Sequence, residues 1–265
     1  MLKPLVSIIT VVYNGEQFIE GAIQSVINQS YTNIQYIVID GGSTDNTINI
    51  INRYKDHIAV FISERDNGIS DAFNKGLKQA KGEIVGILNA DDWYELDGLE
   101  KVVTNLGDND VVYGDLRLWK DEKPDAIFKG DHDYLTREMT INHPTVFVRR
   151  KCYEKYGGFS MDFRYAMDYD LLLRLRVNGC KFAYVPSVLS NMRWGGVSDK
   201  YWYRACRESL FIKNKYMPQR HWLNRMYFAK HIAAIAIGKS LQYLKLGALV
   251  KLYRSHLSPI KKLYE

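Results

Sequence analysis

The stretch from Ile84 to Tyr94 is IVGILNADDWY, and it joins an apolar run to two adjacent acids. The run Ile84 to Asn89 holds four apolar residues and one glycine, which is typical of a strand buried on both faces of a parallel sheet. Asp91 and Asp92 follow where that strand should end. Because ligands of open α/β sheets bind beyond the carboxyl ends of the strands, this stretch predicts both the fold class and the place of a site.

The two adjacent acids favour a cation. Neighbouring carboxylates repel each other unless a positive charge lies beside them. A hard divalent ion such as Mg²⁺ or Mn²⁺ takes one or two carboxylates and fills its other positions with water and phosphate oxygens. The alternative is that Asp91 and Asp92 only cap a helix that starts near Glu95. The stretch by itself leaves both interpretations open.

The composition is that of a globular protein. Of 265 residues, 46% are hydrophobic and 25% are charged, so we expect a single α/β domain with an appendage. The three cysteines, Cys152, Cys180 and Cys206, form neither a disulfide framework nor a metal cluster, which favours a reducing, cytoplasmic setting. We expect neither a signal peptide nor a membrane-spanning helix, because no apolar run reaches about 18 residues.

The charge is unevenly distributed along the chain. Residues 200–265 contain 14 Lys and Arg but two acids, whereas the whole chain has a net charge of +6. This asymmetry predicts a neutral-to-acidic core over residues 1–199 and a basic, aromatic, mostly helical extension over residues 200–265. A basic extension of this kind suits an anionic surface. The alternative is a solvated pair of helices that packs on the rest of the chain.

The first third of the chain alternates predicted strands and helices. Val6 to Val12, Ile34 to Ile39 and Val60 to Ser63 are rich in β-branched residues and predict strands. Between them, residues 16–28 and 47–54 predict helices. A βαβαβ order requires parallel strands joined by right-handed crossovers.

The remaining chain predicts further strands and helices around one irregular region. Residues 119–135 are polar, and we expect a surface excursion there. The other predictions are helices over Asp71 to Ala80, Leu99 to Leu106 and Leu171 to Val177, and strands over Asp110 to Tyr113, His143 to Val148 and Lys181 to Pro186.

Acids recur where predicted strands end, at Asp40, Asp66, Asp91 and Asp92. Carboxylates in these places can accept hydrogen bonds from ribose hydroxyls and a base N–H, so the pattern favours a nucleotide ligand. Asp40 could equally be an ordinary turn residue, and Asp66 begins a plain turn signal. Asp71 could be no more than a first-turn acid facing the helix dipole.

Two later stretches contain further candidates. Asp168 lies at the start of a predicted helix, where an acid suits the helix dipole. An ionised carboxylate there could also take a proton from an acceptor hydroxyl. Residues 195–198, Gly-Gly-Val-Ser, predict a loop whose main-chain N–H groups could approach a diphosphate.

The ordered set of motifs resembles glycosyltransferase family 2, the inverting enzymes with the GT-A fold. No single motif is specific, but the set follows the family's order and spacing over roughly residues 5–200. The motifs are SIITVVYN (7–14), IDGGSTDNT (39–47), SERDNGISDAFNKG (63–76), GEIVGILNADDWY (82–94), HPTVFVRR (143–150), GGF (157–159), MDYDLLLRL (167–175) and WGGVS (194–198).

The resemblance implies a nucleotide-sugar donor, usually a UDP-sugar, and a divalent metal, Mn²⁺ or Mg²⁺. Asp92 would hold the metal, and Asp91 would contact the ribose or the metal's surroundings. Asp40 and Asp71 match acids near the nucleoside, and Asp168 matches the catalytic base. Further expected contacts lie in the same motifs: Tyr13 and Asp66 with the donor, and His143, Gly195 and Gly196 with the acceptor or the diphosphate.

This sequence departs from the family pattern at two positions. Many members have two acids at positions 40 and 41, and here the second is Gly41. Many have Glu before the catalytic Asp, and here that residue is Met167. The first departure concerns the nucleoside contact, and the second concerns the base.

These observations together predict an inverting, metal-dependent glycosyltransferase that acts on a glycan acceptor. The acceptor implied is a lipid-diphosphate-linked intermediate of O-antigen or capsule synthesis, met at the inner face of the cell membrane, and nucleic acid is not an expected partner. A sugar nucleotidyltransferase is disfavoured, because YNGEQF follows the first strand instead of a glycine-rich basic loop. A nucleic-acid-binding protein that uses the basic tail is the other alternative.

Overall fold

The computed structural model describes residues 3–195 and 201–244. Within these residues, nine strands form one mixed sheet, and eight α-helices accompany it. The strands are β1 (Val6–Val12), β2 (Ile34–Asp40), β3 (Val60–Ser63), β4 (Ile84–Asn89), β5 (Trp93–Tyr94), β6 (Val111–Lys120), β7 (Lys123–Phe128), β8 (Phe147–Arg149) and β9 (Phe182–Arg193).

The helices follow the strands in the alternation that the sequence predicts. They are α1 (Ile19–Ile27), α2 (Thr47–Asn52), α3 (Ile69–Gln79), α4 (Gly98–Leu106), α5 (Arg150–Tyr156), α6 (Met167–Val177), α7 (Trp202–Tyr216) and α8 (His221–Tyr243). Short 3₁₀ turns lie at Lys55–His57, His132–Tyr134, His143–Thr145 and Pro218–Arg220.

The first four strands of the sheet, in the order β3-β2-β1-β4, are all parallel. Their register aligns Val12 with Asp40, and Asp40 with Ser63. On the other side of β1, Val11 aligns with Asn89. The carboxyl ends of these strands therefore meet at one edge, as the sequence predicts, and the expected α/β fold class is confirmed.

Beyond β4 the sheet becomes mixed, in the order β8-β6-β9-β5 with β7 paired to β6. The prediction of an irregular surface excursion over residues 119–135 is wrong in its first half, because β6 and β7 form an antiparallel hairpin. Asp121 and Glu122 make its two-residue turn, with φ of 50° and 58°. Such turns usually carry Asn or Gly, and their absence hid the hairpin from sequence reasoning.

Two other predicted strands have different bounds in the structure. The strand expected from His143 begins only at Phe147, because Pro144 lies in a 3₁₀ turn, where its fixed φ and missing N–H are tolerated. The last strand, β9, continues past Pro186 to Arg193. Its pairing with β6 shifts register between Val185 and Val188, so that the proline falls in an irregularity where no ladder N–H is needed.

Alternate residues of the central strands are buried on opposite faces of the sheet. Ile8 belongs to the cluster that contains α1, α2 and α4, whereas Ile9 belongs to the cluster that contains α3, α5 and α6. Both side chains are fully buried. Burial on both faces explains why these strands are apolar runs without polar alternation.

The two last described helices differ in how they contact this core. Ile212 of α7 is fully buried and belongs, with Met217, to the same apolar cluster as Ile9. The longer helix α8 packs on α7 and leaves several large apolar side chains exposed. The predicted division at residue 200 stays a prediction, and residues 245–265 lie outside the described part of the chain.

No helix in the described part of the chain has both the length and the apolar character that crossing a bilayer requires.

Candidate active site

The loops after β1 and β2 are joined by hydrogen bonds that fix the rim of a cleft. The main-chain N–H of Asn14 donates to Ser43 Oγ (2.8 Å), and the side-chain oxygen of Asn14 accepts from the N–H of Thr44 (2.8 Å). The N–H of Gly15 donates to Thr47 Oγ1 (2.9 Å). Asn14 adopts φ of 49°, a region that asparagine tolerates better than most residues. The two strand ends therefore form one rigid platform.

Asp40 is fully buried beneath this platform and organises it. Its Oδ2 accepts from the N–H groups of Gly42 (3.1 Å) and Ser43 (3.0 Å) and from Ser63 Oγ (2.7 Å), and its Oδ1 accepts from Ser43 Oγ. The carboxylate thus has four donors from its own and the neighbouring strand end. The structure gives Asp40 a loop-building role, and its contact with a nucleoside stays a prediction.

A cavity of about 440 Å³ opens above the platform, within the size range of small-ligand sites. Tyr13, with 64% of its surface exposed, stands at the end of β1. Arg65 brings a positive charge to the cavity, and sequence reasoning missed it. The lining residues are Tyr13, Gly41, Gly42, Arg65 and Asp66.

The side chain of Asp66 occupies the space next to the Cα atom of Gly41. A Cβ atom added at Gly41 would overlap Asp66 Oδ2. The other oxygen of Asp66, Oδ1, accepts from the N–H of Gly68 (2.9 Å), which orients the carboxylate. The carboxylate of Asp66 therefore lies where a side chain at position 41 would begin, and a larger residue at position 41 would displace this carboxylate.

Asp92, at the end of β4, is an unusual buried acid, with 2% of its surface exposed. Its Oδ2 accepts from Asn89 Nδ2 (3.1 Å), but its Oδ1 has no hydrogen-bond partner among the described residues. Burial, together with the neighbouring charge of Asp91, raises the pKa of Asp92 well above its usual range. The helix-capping interpretation of this pair is wrong, because α4 begins only at Gly98, after Asp97.

These surroundings fit a divalent cation. A buried carboxylate oxygen without a donor is costly unless a positive charge satisfies it. The exposed Asp91 beside it supplies a second carboxylate. No group of three or more His, Cys, Asp or Glu within residues 3–195 and 201–244 could hold a metal. A bound ion would therefore complete its coordination with water and with phosphate oxygens of a ligand.

Arg193, the last residue of β9, supports this acidic pair and was not predicted. Its Nη1 donates to the main-chain oxygen of Asp91 (2.7 Å). Its guanidinium lies 4.8 Å from the ring centroid of Phe18 and 4.6 Å from that of Trp93. Arg193 thus joins the end of β9 to the segment 91–93 and to Phe18, just before α1. Nothing in the sequence distinguishes it from other arginines except its place before the WGGVS motif.

Asp168 lies in the first turn of α6, where its Oδ1 accepts from the N–H of Tyr169 (2.8 Å). Burial raises the pKa of Asp168 to about 6, and the negative charge of Glu208 acts in the same direction. A carboxylate with this pKa is still ionised at neutral pH, but it is a stronger proton acceptor than an ordinary aspartate. None of the hydrogen bonds found for Asp168 within the described residues runs to the cavity.

His143, which the sequence placed near the acceptor, packs between aromatic rings. Its ring stacks on Phe73, with centroids 5.2 Å apart, and meets Phe159 edge-on at 5.6 Å. Burial lowers the pKa of His143 to about 4, so the ring is neutral at physiological pH. The structure gives it a packing role, and an acceptor contact stays a prediction.

The remaining candidates have local surroundings of their own. Asp71 accepts from the N–H of Asn67 (3.0 Å) and pairs with Lys75 (3.5 Å), and the hydrogen bond is the main reason that its pKa is lowered. Gly195 is exposed and has φ of 106°. Gly196 lies outside the described residues. Donor or diphosphate contacts of these residues stay predictions.

Comparison with known proteins agrees with this geometry. The model of the glycosyl transferase family 2 matches residues 7–166. The chain belongs to this family. The match includes both loops of the platform and the acidic pair, and it ends just before Asp168. Family 2 membership favours glycosyl transfer over the nucleotidyltransferase and nucleic-acid-binding alternatives.

Two kinds of known protein resemble this chain: relatives named as glycosyltransferases and solved structures with the same fold. An uncharacterized glycosyltransferase of Rickettsia typhi is 35% identical over 197 residues, which are 68% of this chain and 61% of that relative. The chain thus spans less than two thirds of the relative's length. A mannosyltransferase of Pyrobaculum calidifontis, solved with GDP-Man and Mn²⁺, has a TM-score of 0.66 and 20% identity over 96% of this chain and 82% of its own.

Staphylococcus aureus TarS 1-349, solved with UDP-GlcNAc, gives a TM-score of 0.63 and 19% identity over 78% of this chain and 66% of its own. At these identities, both structures support the GT-A fold and carry no residue roles to this chain.

Proposed function

We propose that this family 2 enzyme moves a sugar from a nucleotide-sugar to a hydroxyl of a glycan acceptor, with inversion at the anomeric carbon. The observation that carries the proposal is the buried oxygen of Asp92 that has no hydrogen-bond partner among the described residues, at the same sheet edge as the cavity. A diphosphate with a bound cation is the ligand that satisfies such an oxygen. A UDP-sugar is the proposed donor, and a lipid-diphosphate-linked intermediate of O-antigen or capsule synthesis is the proposed acceptor.

The residues that line the cavity would bind the nucleoside end of the donor. Tyr13 offers an exposed ring at the end of β1 that a base can stack on. Asp66, held by Gly68 and filling the space above Gly41, is the acid placed to accept a hydrogen bond from the base or the ribose. Arg65 adds a positive charge that suits a diphosphate.

Exchanging the acid between positions 41 and 66 tests this assignment. Asp66→Ala should weaken UDP binding about 10–100-fold, since a hydrogen bond to a charged group contributes about 1.5–3 kcal/mol. Adding Gly41→Asp to that variant should restore part of the affinity, because a carboxylate returns to the same space. Isothermal titration calorimetry with UDP measures both changes.

The controls are Gly41→Asp alone, which should weaken binding through overlap with Asp66, and Asp56→Ala, which removes an exposed acid outside the cavity. Wild-type affinity in Asp66→Ala would show that this carboxylate does not contact the donor.

Asp92 would hold the metal, and Asp91 lies beside it. When bound, Mn²⁺ or Mg²⁺ supplies positive charge that offsets the charge developing on the departing nucleoside diphosphate. The chain's own contribution is to keep Asp92 buried just after β4, with one carboxylate oxygen that accepts no hydrogen bond from the described residues. Arg193 holds the main chain of Asp91 in place.

Asp168 is the proposed general base. Its carboxylate takes the proton of the acceptor hydroxyl while that oxygen bonds to the anomeric carbon. The bond from this carbon to the diphosphate oxygen breaks on the opposite face, which inverts the configuration. The pKa of about 6 matches this work, because the group is ionised near neutral pH and still basic.

Asp168→Asn keeps the shape of the side chain and removes its basicity. Turnover should fall about 10²–10⁴-fold, the usual contribution of a general base, while UDP binding measured by calorimetry stays the same. In the wild-type enzyme, kcat should fall as the pH drops through about 6, because the base becomes protonated. A panel of nucleotide-sugars, with release of the nucleoside diphosphate as the readout, supplies the assay.

Asp162→Asn, an exposed acid before the same helix, is the matched control and should keep wild-type turnover. A loss of less than tenfold in Asp168→Asn would assign the proton transfer to another group.

We propose that the outer face of α8 binds an anionic membrane surface. The enzyme would then act at the inner face of the cell membrane. Exposed side chains recur along this helix at alternating spacings of four and three residues. His221–Tyr243 contains no Asp or Glu, so two copies of this face would repel each other, whereas acidic lipids would attract it. The exposed residues at these spacings are Trp222, Met226, Ala229, Ala233, Ala236, Ser240 and Tyr243. Ile237 is exposed beside them, and the exposed basic residues of the helix are Arg225, Lys230 and Lys239.

Vesicle co-sedimentation tests this surface. Each Lys or Arg near an acidic leaflet contributes roughly 1 kcal/mol, and salt screens it within about 8–10 Å. Binding to anionic vesicles should therefore exceed binding to neutral ones and weaken in high salt. The double variant Trp222→Ser, Met226→Ser should bind less, because it removes two exposed apolar side chains from α8.

Leu96→Ser, which removes an exposed apolar side chain between β5 and α4, is the control and should bind as the wild type does. Equal binding to neutral and anionic vesicles, or none to either, would contradict the proposed surface.

A further inference from the structure

Glu208, in the middle of α7, forms hydrogen bonds with the main chain that leads into α6. Its Oε1 accepts from the N–H of Arg164 (3.1 Å), and its Oε2 accepts from the N–H groups of Tyr165 (2.8 Å) and Ala166 (2.9 Å). One carboxylate thus binds three consecutive main-chain donors on a segment more than 40 residues away in sequence. Charge-assisted bonds of this kind are among the stronger hydrogen bonds in proteins.

This contact fixes the chain that enters α6. The N-cap residue of α6 is Ala166, which has no side-chain acceptor for the free N–H groups at the start of a helix. Asp168 accepts from the N–H of Tyr169 in the first turn, and Glu208 binds the donors of the segment just before it. The segment leading into Asp168 is therefore fixed by a residue of the C-terminal extension.

The same two helices are joined again further along. The hydroxyl of Tyr216, at the end of α7, donates to Asp170 Oδ1 (2.9 Å). Lys215 pairs with the same fully buried carboxylate at 3.7 Å. Because α7 is also anchored in the core by Ile212, it forms a rigid support along α6.

We propose that Glu208 is a positioning residue for Asp168, holding the turn that presents the Asp168 carboxylate to the acceptor. The proposal rests on the base role of Asp168 given above. It makes the first helix of the basic extension part of the catalytic apparatus, through three hydrogen bonds to main chain and without contact with the reacting atoms.

The charge of Glu208 gives the proposal an electrostatic signature. Glu208 raises the pKa of Asp168 in addition to the effect of burial. Of the cations on these two helices, Arg174 (3.6 Å) and Lys215 pair with Asp170, Arg176 pairs with Asp133, and Lys213 pairs with Glu138. Removing the charge of Glu208 should therefore lower the pKa of Asp168, and the acidic limb of the rate profile should move to lower pH.

Hydrogen–deuterium exchange and pH-dependent kinetics on the full chain test the proposal together. In Glu208→Ala, the amides of residues 164–166 should exchange about tenfold faster or more, because they lose their acceptor. The kcat value should fall about 10–100-fold with an unchanged KM for the donor, and the acidic limb should shift to lower pH. Glu208→Gln, which keeps one acceptor oxygen and loses the charge, should recover part of the rate and show the same pH shift.

Ser209→Ala is the matched control, since its hydroxyl bonds only to Ala205 of its own helix among the described residues. It should leave exchange, rate and pH profile unchanged. Should Glu208→Ala fail to fold, the glutamine variant carries the test. Wild-type exchange at residues 164–166, or a wild-type rate and pH profile in both Glu208 variants, would overturn the positioning role.

Asp168→Asn, measured in parallel, separates the two possible failures. If Asp168→Asn keeps wild-type turnover, the proposed base is wrong, and with it the catalytic purpose of Glu208. If Asp168→Asn is inactive while Glu208→Ala is fully active, the positioning role alone is wrong.

Discussion

A carboxylate oxygen that is buried without a hydrogen-bond donor is the constraint on which this site depends. Asp40 and Asp92 both lie at the carboxyl ends of parallel strands, and both are buried. Asp40 has four donors from nearby loops, so its charge is fully satisfied within the chain. Among the described residues, Asp92 accepts a hydrogen bond from Asn89 on one oxygen, and its other oxygen has no donor. This difference supports the proposed metal-binding role of Asp92, whereas a nucleoside contact of Asp40 stays a prediction.

The parallel half of the fold could be predicted from sequence because its physics is local. Strands β1, β2 and β4 are buried on both faces, so they are continuous apolar runs, and the residues after them must lie at one edge. The antiparallel half was harder. The β6–β7 hairpin turns through Asp121 and Glu122 without the glycine or asparagine that marks such turns. Residue propensities do not predict this turn, because the pairing of β6 with β7 imposes it.

The site residues also divide into those that local sequence predicts and those that depend on contacts between distant segments. The sequence indicates which acids follow strands, but not which oxygens are already occupied. The packing of Asp66 over Gly41, the placement of Arg193 beside Asp91 and the bonds of Glu208 to residues 164–166 are all contacts between distant segments. No periodicity or motif encodes them. The C-terminal extension shows this most clearly, because its sequence left open both a membrane surface and helices packed on the catalytic domain, and the structure shows α7 packed into the core along α6.

The proposed function depends on Asp92, which would hold a divalent cation beside a nucleoside diphosphate. The direct measurement is calorimetry of UDP binding with and without Mn²⁺, in the wild type, in Asp92→Asn and in the control Asp97→Asn, an exposed acid just before α4. We predict that Mn²⁺ tightens UDP binding at least about tenfold, or about 1.4 kcal/mol, in the wild type and in Asp97→Asn, and has no effect in Asp92→Asn. Equal UDP affinity in Mn²⁺ and in excess chelator, or an undiminished effect of Mn²⁺ in Asp92→Asn, would contradict the claim.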